Sequence, residues 1–447
     1  MEADWHSLPA PLLAGVLQQV NTKHRLICCA LVCKSWAAAA AVATDSLRSL
    51  DWESCSSWVE HHKAQITSFH LPPARPQDFA VVSQLPSPLL AHLVELRVDR
   101  NRLQLAPSSS SPGLLQHAST LRALAVNACQ VVDGQDGLMA LTTLPNLQDL
   151  TLHVVLNLYR NRYEQLKLPG ELLPGLQHLT RLCVRLNAAD NWQGLQQLGQ
   201  MTVLRQLHLQ GVHRVPNLCA GLRVLVLEDV QIPLSPASTP GIFAQLTALQ
   251  ELRLQDCMVL DPAVLQPIST LQHLVLEDIQ LWEPANAAEV LLAWVGKQQQ
   301  LTHLELEAGQ LVASTGAQGR ALTASTKLQH LRFTLSLKEE AWRQAFTADK
   351  QRQDLTCLRF VLDPVICGAD LSQLVSCCPR LRDLSIRASP ASQRVVIAAG
   401  KCVSHFCRYC LAAVDHSHCM HVTALVCKAD VLVGSACTRV GASWQHS

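Results

Sequence analysis

The chain has 447 residues, 49% of them hydrophobic and 16% charged, with a formal charge of +1. That apolar share supports a core along most of the chain and excludes wholesale disorder, and the charge balance leaves no global field to draw the protein to nucleic acid or an anionic membrane. Met1 to Trp5 holds Glu2 and Asp4 but no basic segment, no apolar run nears the roughly 20 residues that span a bilayer, and the 18 cysteines are scattered, so neither secretion nor a disulfide framework is expected.

The first predicted unit spans 5–43. Leu12, Leu13, Val16, Leu17 and Val20 recur at three- and four-residue steps, Asn21 and Thr22 interrupt, and Leu26, Cys29, Ala30, Cys33 and Trp36 begin a second apolar face. That periodicity predicts short helices, which would serve equally as an amino-terminal cap on whatever follows. The order of residues is more specific. Leu8-Pro9, then Leu12-Leu13, Val16-Leu17 and Leu31-Val32-Cys33-Lys34-x-Trp36 resembles the F-box motif, with Pro11 and Lys23-His24-Arg25 at places often acidic in that family. The resemblance implies a small helical unit docking on a Skp-type adaptor, and through it a cullin. It assigns the contacts to Leu8, Pro9, Leu12, Leu13, Leu17, Val32 and Trp36.

Residues 44–92 are expected to be a linker and a first, weak repeat, ITSFHL from Ile66. From 93 to 390 the pattern L-x-x-L-x-L recurs, at Leu93, Leu121, Leu147, Leu179, Leu204, Leu222, Leu249, Leu271, Leu301, Leu328, Leu355 and Leu381, with spacings of 18 to 32 residues. This is the leucine-rich-repeat period. Each unit predicts a short strand with its first, fourth and sixth residues inward, then a turn and a helical or 3₁₀ return, and one unit cannot bury its own leucines without neighbours. The expected fold class is therefore α/β, a horseshoe-shaped solenoid behind a small helical unit. In the turn position that usually holds Asn or Cys stand Asn101, Cys129 and Cys257, with Val230 and Ile279 as apolar substitutes. Taken with the front segment, the whole resembles an F-box/leucine-rich-repeat protein.

The third, fifth and seventh strand residues should line the concave face. They include Glu228, Glu251, Glu277, Glu305 and Glu307 in the middle repeats, and Arg97, Arg181, Arg185, Arg253, Arg332, Arg359 and Arg387 toward both ends. Glu228, Glu251, Glu277, Glu305, Glu307, Arg253, Arg332 and Arg359 are the candidate client-binding residues, fitting a partner with a basic segment between acidic or polar ones; solvated charge with no partner is the alternative. His273, His303 and His330 hold the third position of successive repeats and should stack, without enough ligands for a metal site.

Past 390 the leucine pattern ends, and an irregular tail over 391–447 is expected. Cys407, Cys410, His416 and His421 supply zinc-ligand types, but only five residues separate the pairs, so no metal is assigned. No G-x-S-x-G, G-x-x-x-x-G-K-[ST], H-E-x-x-H or dinucleotide loop occurs, so no enzyme and no cofactor is expected. The functional expectation is the substrate-recognition subunit of a Skp-cullin-F-box ubiquitin ligase in the cytoplasm or nucleus. The alternative is an interaction scaffold without ligase linkage, for example on a cilium or the cytoskeleton.

Overall fold

In a computed structural model of the protein, the described residues are 9–20, 28–44, 46–48, 66–71, 81–82, most of 90–388, and 421–425. The front unit is two helices, α1 (Ala10–Gln18) and α2 (Lys34–Ala43), joined in part by a 3₁₀ turn at Cys29–Leu31. Pro9 caps α1 and Pro11 lies in its first turn, where a missing N–H breaks no helical hydrogen bond. Leu13, Ala14 and Leu17 pack on Ala39, Ala40 and Ala43 in a small core of their own. The alanine run lets the two backbones approach closely. Ala41, on another face of α2, instead joins Leu47, Ile66 and Phe69 at the start of the repeat core, so the unit also covers the first coil.

The repeats form one long sheet. Its main strands are β1 (Ser46–Arg48), β2 (Ser68–Leu71), β3 (Glu95–Asp99), β4 (Ala123–Val131), β5 (Asp149–Val154), β6 (Arg181–Arg185), β7 (Gln206–Gln210) and β8 (Val224–Glu228). They continue as β9 (Glu251–Gln255), β10 (His273–Glu277), β11 (His303–Glu307), β12 (His330–Phe333), β13 (Cys357–Leu362), β14 (Asp383–Ala388) and β15 (His421–Leu425). From β2 to β14 each pairs in parallel with its predecessor, in unbroken register except for a shift between Asn127 and Cys129 of β4. The leucines therefore stack in ladders, as in Leu225, Leu252, Leu274, Leu304, Leu331, Leu358 and Leu384, each no more than 1% exposed. At about 1.5–3 kcal/mol for each buried leucine side chain, these ladders are the main cohesive force of the array.

The sheet starts at Ser46, within the 44–92 segment expected to hold a linker and an entry repeat, where Leu47 and Phe69 supply inward residues. At the other end β15 pairs antiparallel with β14. The last strand of an open sheet presents unpaired N–H and C=O groups, and β15 satisfies a row of them.

The return segments vary. Short helices α3 (Gly134–Met139) and α4 (Leu172–Gly175) and 3₁₀ turns at Gln193–Gln200 and Pro262–Leu265 give way to α5 (Pro284–Lys297), α6 (Gly316–Leu322) and α7 (Glu339–Ala345). Trp294 of α5 is buried, and its indole N–H donates to the Ile268 carbonyl at 3.1 Å; Gln298 donates to the same oxygen at 2.7 Å. Gly319 lets α6 lie against α7, since a Cβ there would overlap the Ala341 carbonyl.

A turn with one residue at positive φ recurs along the described strands. Arg100, Ala128, Asp229, Asp256 and Asp278 have φ of 49° to 52°, and Gly211 has 69°. The amide of Asp229 donates to the Gln255 carbonyl at 2.9 Å, that of Asp256 to Glu277 at 3.0 Å and that of Asp278 to Glu307 at 2.8 Å, each reaching the next coil. One residue past the αL position of their own turn, Asn101 and Cys129 are buried, and the Cys129 thiol donates to the Val98 and Asn127 carbonyls at 3.3 Å. Cys257 bonds the Leu227 and Gln255 carbonyls at 3.5 Å. Burial pushes both thiols up to about 11, so they stay protonated and act as small apolar turn donors.

Candidate protein-binding surfaces

The front unit hides one side of α1 and shows the other. Leu13 and Leu17 are 1% exposed and committed to the internal core, whereas Leu12 is 62% and Val16 47% exposed, one helical turn apart on one face. Leu31 at 81% and Val32 at 52% add to the solvent-facing apolar surface. Of the residues expected to meet an adaptor, Pro9, Leu12 and Val32 are presented to solvent, Trp36 is half-buried against the core, and Leu8 lies outside the described residues. Leu13 and Leu17 hold the helix in place instead. Val16 and Leu31 were missed, because an all-apolar face at three- and four-residue steps does not say which half is inside.

On the concave face, β-register brings the expected charges beside one another. Glu251 pairs with Arg253 at 2.6 Å, Glu228 lies 3.0 Å from His208, and Glu305 lies 2.7 Å from His303 and 3.4 Å from Arg332, which also reaches Glu307. Arg359 pairs with Asp383 at 2.6 Å. The hydrogen bond from His303 is the largest influence on Glu305 and helps hold its carboxyl below the usual range, against the opposing effect of burial. Glu277 has no ion pair among the described residues, and burial, with Glu307 beside it, pushes its carboxyl up. Most of these candidate client-binding side chains are thus satisfied within the chain. The histidines stack as expected, His273 on His303 with centroids 5.6 Å apart and His303 on His330 at 5.2 Å, the spacing of adjacent strands. Of the proposed tail ligands, Cys407, Cys410 and His416 lie outside the described residues, and only the backbone of His421, in β15, is described.

A second concave region lies over β3 to β8, a depression of about 730 Å³ that includes Arg97, Arg100, Arg181 and Arg185. At its far side the Cys183 thiol is 3.4 Å from His208 Nδ1. Burial raises Cys183 and lowers His208, so both are neutral near pH 7 and the pair is not an activated thiolate.

Residues 5–41 match the model of the F-box domain. No curated protein matches the chain. Among solved structures, an internalin from Listeria monocytogenes aligns at 15% identity and a TM-score of 0.46, covering 82% of this chain and 92% of its own. Mouse RP105, solved in complex with MD-1, aligns at 17% identity and a TM-score of 0.42, covering 69% of this chain and 53% of its own.

Proposed function

We propose that this chain is the substrate-recognition subunit of a Skp-cullin-F-box ubiquitin ligase, non-catalytic itself, with the repeats binding a client protein and the front unit binding the Skp-type adaptor in the cytoplasm or nucleus. The observation that carries the reading is the exposed apolar side of the F-box domain. Leu12, Val16, Leu31 and Val32 contribute nothing to the internal core, and leaving large apolar side chains in water forgoes about 1.5–3 kcal/mol each. A partner surface recovers that energy. The packing of Ala41 into the repeat core fixes the unit against the array, so a client held by the repeats is carried in a defined relation to the ligase.

The test is capture of a purified Skp-type adaptor by the intact chain, comparing wild type with a Leu12→Asp, Leu31→Asp double variant. Both side chains are exposed, so folding is unaffected while the apolar contact is replaced by charge. Capture by wild type, reduced at least about tenfold in the variant, is expected for loss of two central contacts. A folded wild type that captures no adaptor overturns the ligase reading and leaves an interaction scaffold whose front unit is a cap.

A further inference from the structure

We infer that the depression over β3 to β8 is a subsite for an extended acidic stretch of a partner protein, with two groups of Asp or Glu side chains spaced about four residues apart. The inference rests on the reading of the repeats as a client-binding surface and adds the chemistry of the client.

The register builds the site. In the fifth strand position Arg97 is followed across the sheet by Ala125, Thr151 and Cys183, and in the seventh Asp99 is followed by Asn127, His153 and Arg185. The short side chains of Ala125 and Thr151 thus form a low floor between two raised walls. One wall is Arg97 with Arg100 at the end of β3; the other is Arg181 with Arg185 on β6.

The charges of the walls are only half compensated. Arg97 pairs with Asp99 at 3.2 Å and Arg181 with Asp149 at 3.4 Å. Arg100 and Arg185 have no carboxylate within ion-pair distance among the described residues, and a carboxylate arriving from solvent can give either guanidinium a charge-assisted hydrogen bond.

Spacing selects the occupant. The walls stand on strands separated by β4 and β5, three steps of about 4.8 Å, or about 14 Å. One anionic group cannot reach both walls. An extended peptide advances about 3.3 Å per residue, so acids about four residues apart meet both. A nucleic-acid strand fits less well, since the lining offers no Phe, Tyr or Trp on which bases stack.

The probes are fluorescein-labelled ten-residue peptides, measured by anisotropy with the full chain in 50 mM salt: one with paired Glu at positions 3, 4, 7 and 8, one with the same four Glu contiguous, one with Gln in their place, and a single-stranded RNA 10-mer. The spaced peptide is expected to bind best, at least about tenfold above the Gln peptide, and to lose about tenfold with Arg100→Glu or Arg185→Glu but not with Lys327→Glu, which lies ahead of β12 and outside the depression. Thermal melting confirms that the variants fold. Equal affinity for Gln and Glu peptides, no effect of the two reversals, no preference for the spaced over the contiguous peptide, or tighter binding of RNA than of any peptide each overturns the inference. None of these readings involves the adaptor, so failure here is separate from failure of the ligase assignment.

Discussion

The turn that recurs along the strands asks for a residue at positive φ, and the chain meets that demand unevenly. Asp229, Asp256 and Asp278 are of a residue type that enters the left-handed region more readily than most, and Gly211 has no Cβ to strain, but Ala128 sits at φ 52° with neither advantage. Ala128→Gly is expected to stabilise the protein by about 0.5–1 kcal/mol, less than the intrinsic preference because glycine loses more entropy on folding; a denaturant midpoint that falls would show the strain to be absorbed elsewhere. Histidines set the pH response at the same scale. His208 is pushed down from the ordinary 6.5 mainly by burial, with Glu228 opposing and Arg185 reinforcing; His330 is pushed down mainly by burial, with the neighbouring His303 reinforcing. Below 6.5 the unfolded chain takes up protons that the folded chain resists, so stability is complete above that pH and declines as pH falls toward the folded values. His208→Gln should flatten this part of a plot of melting temperature against pH, and an unchanged slope would remove His208 as its source.

The strands were legible in the sequence because a one-four-six leucine pattern has a single satisfactory packing, and β3 to β14 fall where the pattern put them. Three things were not. The aspartates and glycine one residue beyond the seventh strand position carry the αL signal, which is readable once the turn is known but is indistinguishable from loop polarity before. Which charges neutralise one another depends on neighbours across the sheet: Arg332 meets Glu305 and Glu307 from 25 or more positions away, a relation that depends on irregular return lengths. The division of α1 into an inner and an outer side was equally hidden, because Leu12, Leu13, Val16 and Leu17 are all apolar, and only the alanine-rich partner helix decides that Leu13 and Leu17 go in. That division makes a prediction at the level of the element. Leu13→Ala, at a 1% exposed site, should cost about 2–5 kcal/mol within a unit that has little else to hold it and so abolish adaptor capture, without touching the apolar surface the adaptor meets. Retained capture would mean that the adaptor itself folds the helix pair.

The described residues form two cores of very different reach. One is the six-residue cluster of the front unit; the other runs without interruption from Ala41 to Leu384. A stacked array is stabilised by nearest-neighbour interfaces, so the loss of one inward side chain weakens two junctions at once. Leu274 is the place to test this, because it is fully buried and lies in register between Leu252 and Leu304 near the middle of the ladder. Leu274→Ala should remove about 2–5 kcal/mol by lost transfer energy and the cavity left behind. If the core is one cooperative unit, circular dichroism in increasing urea will show a single transition moved to lower concentration with its slope unchanged. A split into two transitions would place a break at β10 and mean that the first and second halves of the array fold separately. That outcome bears on binding, since the basic depression over β3 to β8 and the carboxylates Glu305 and Glu307 on β11 then belong to separable bodies, and one partner spanning both would stabilise the junction between them.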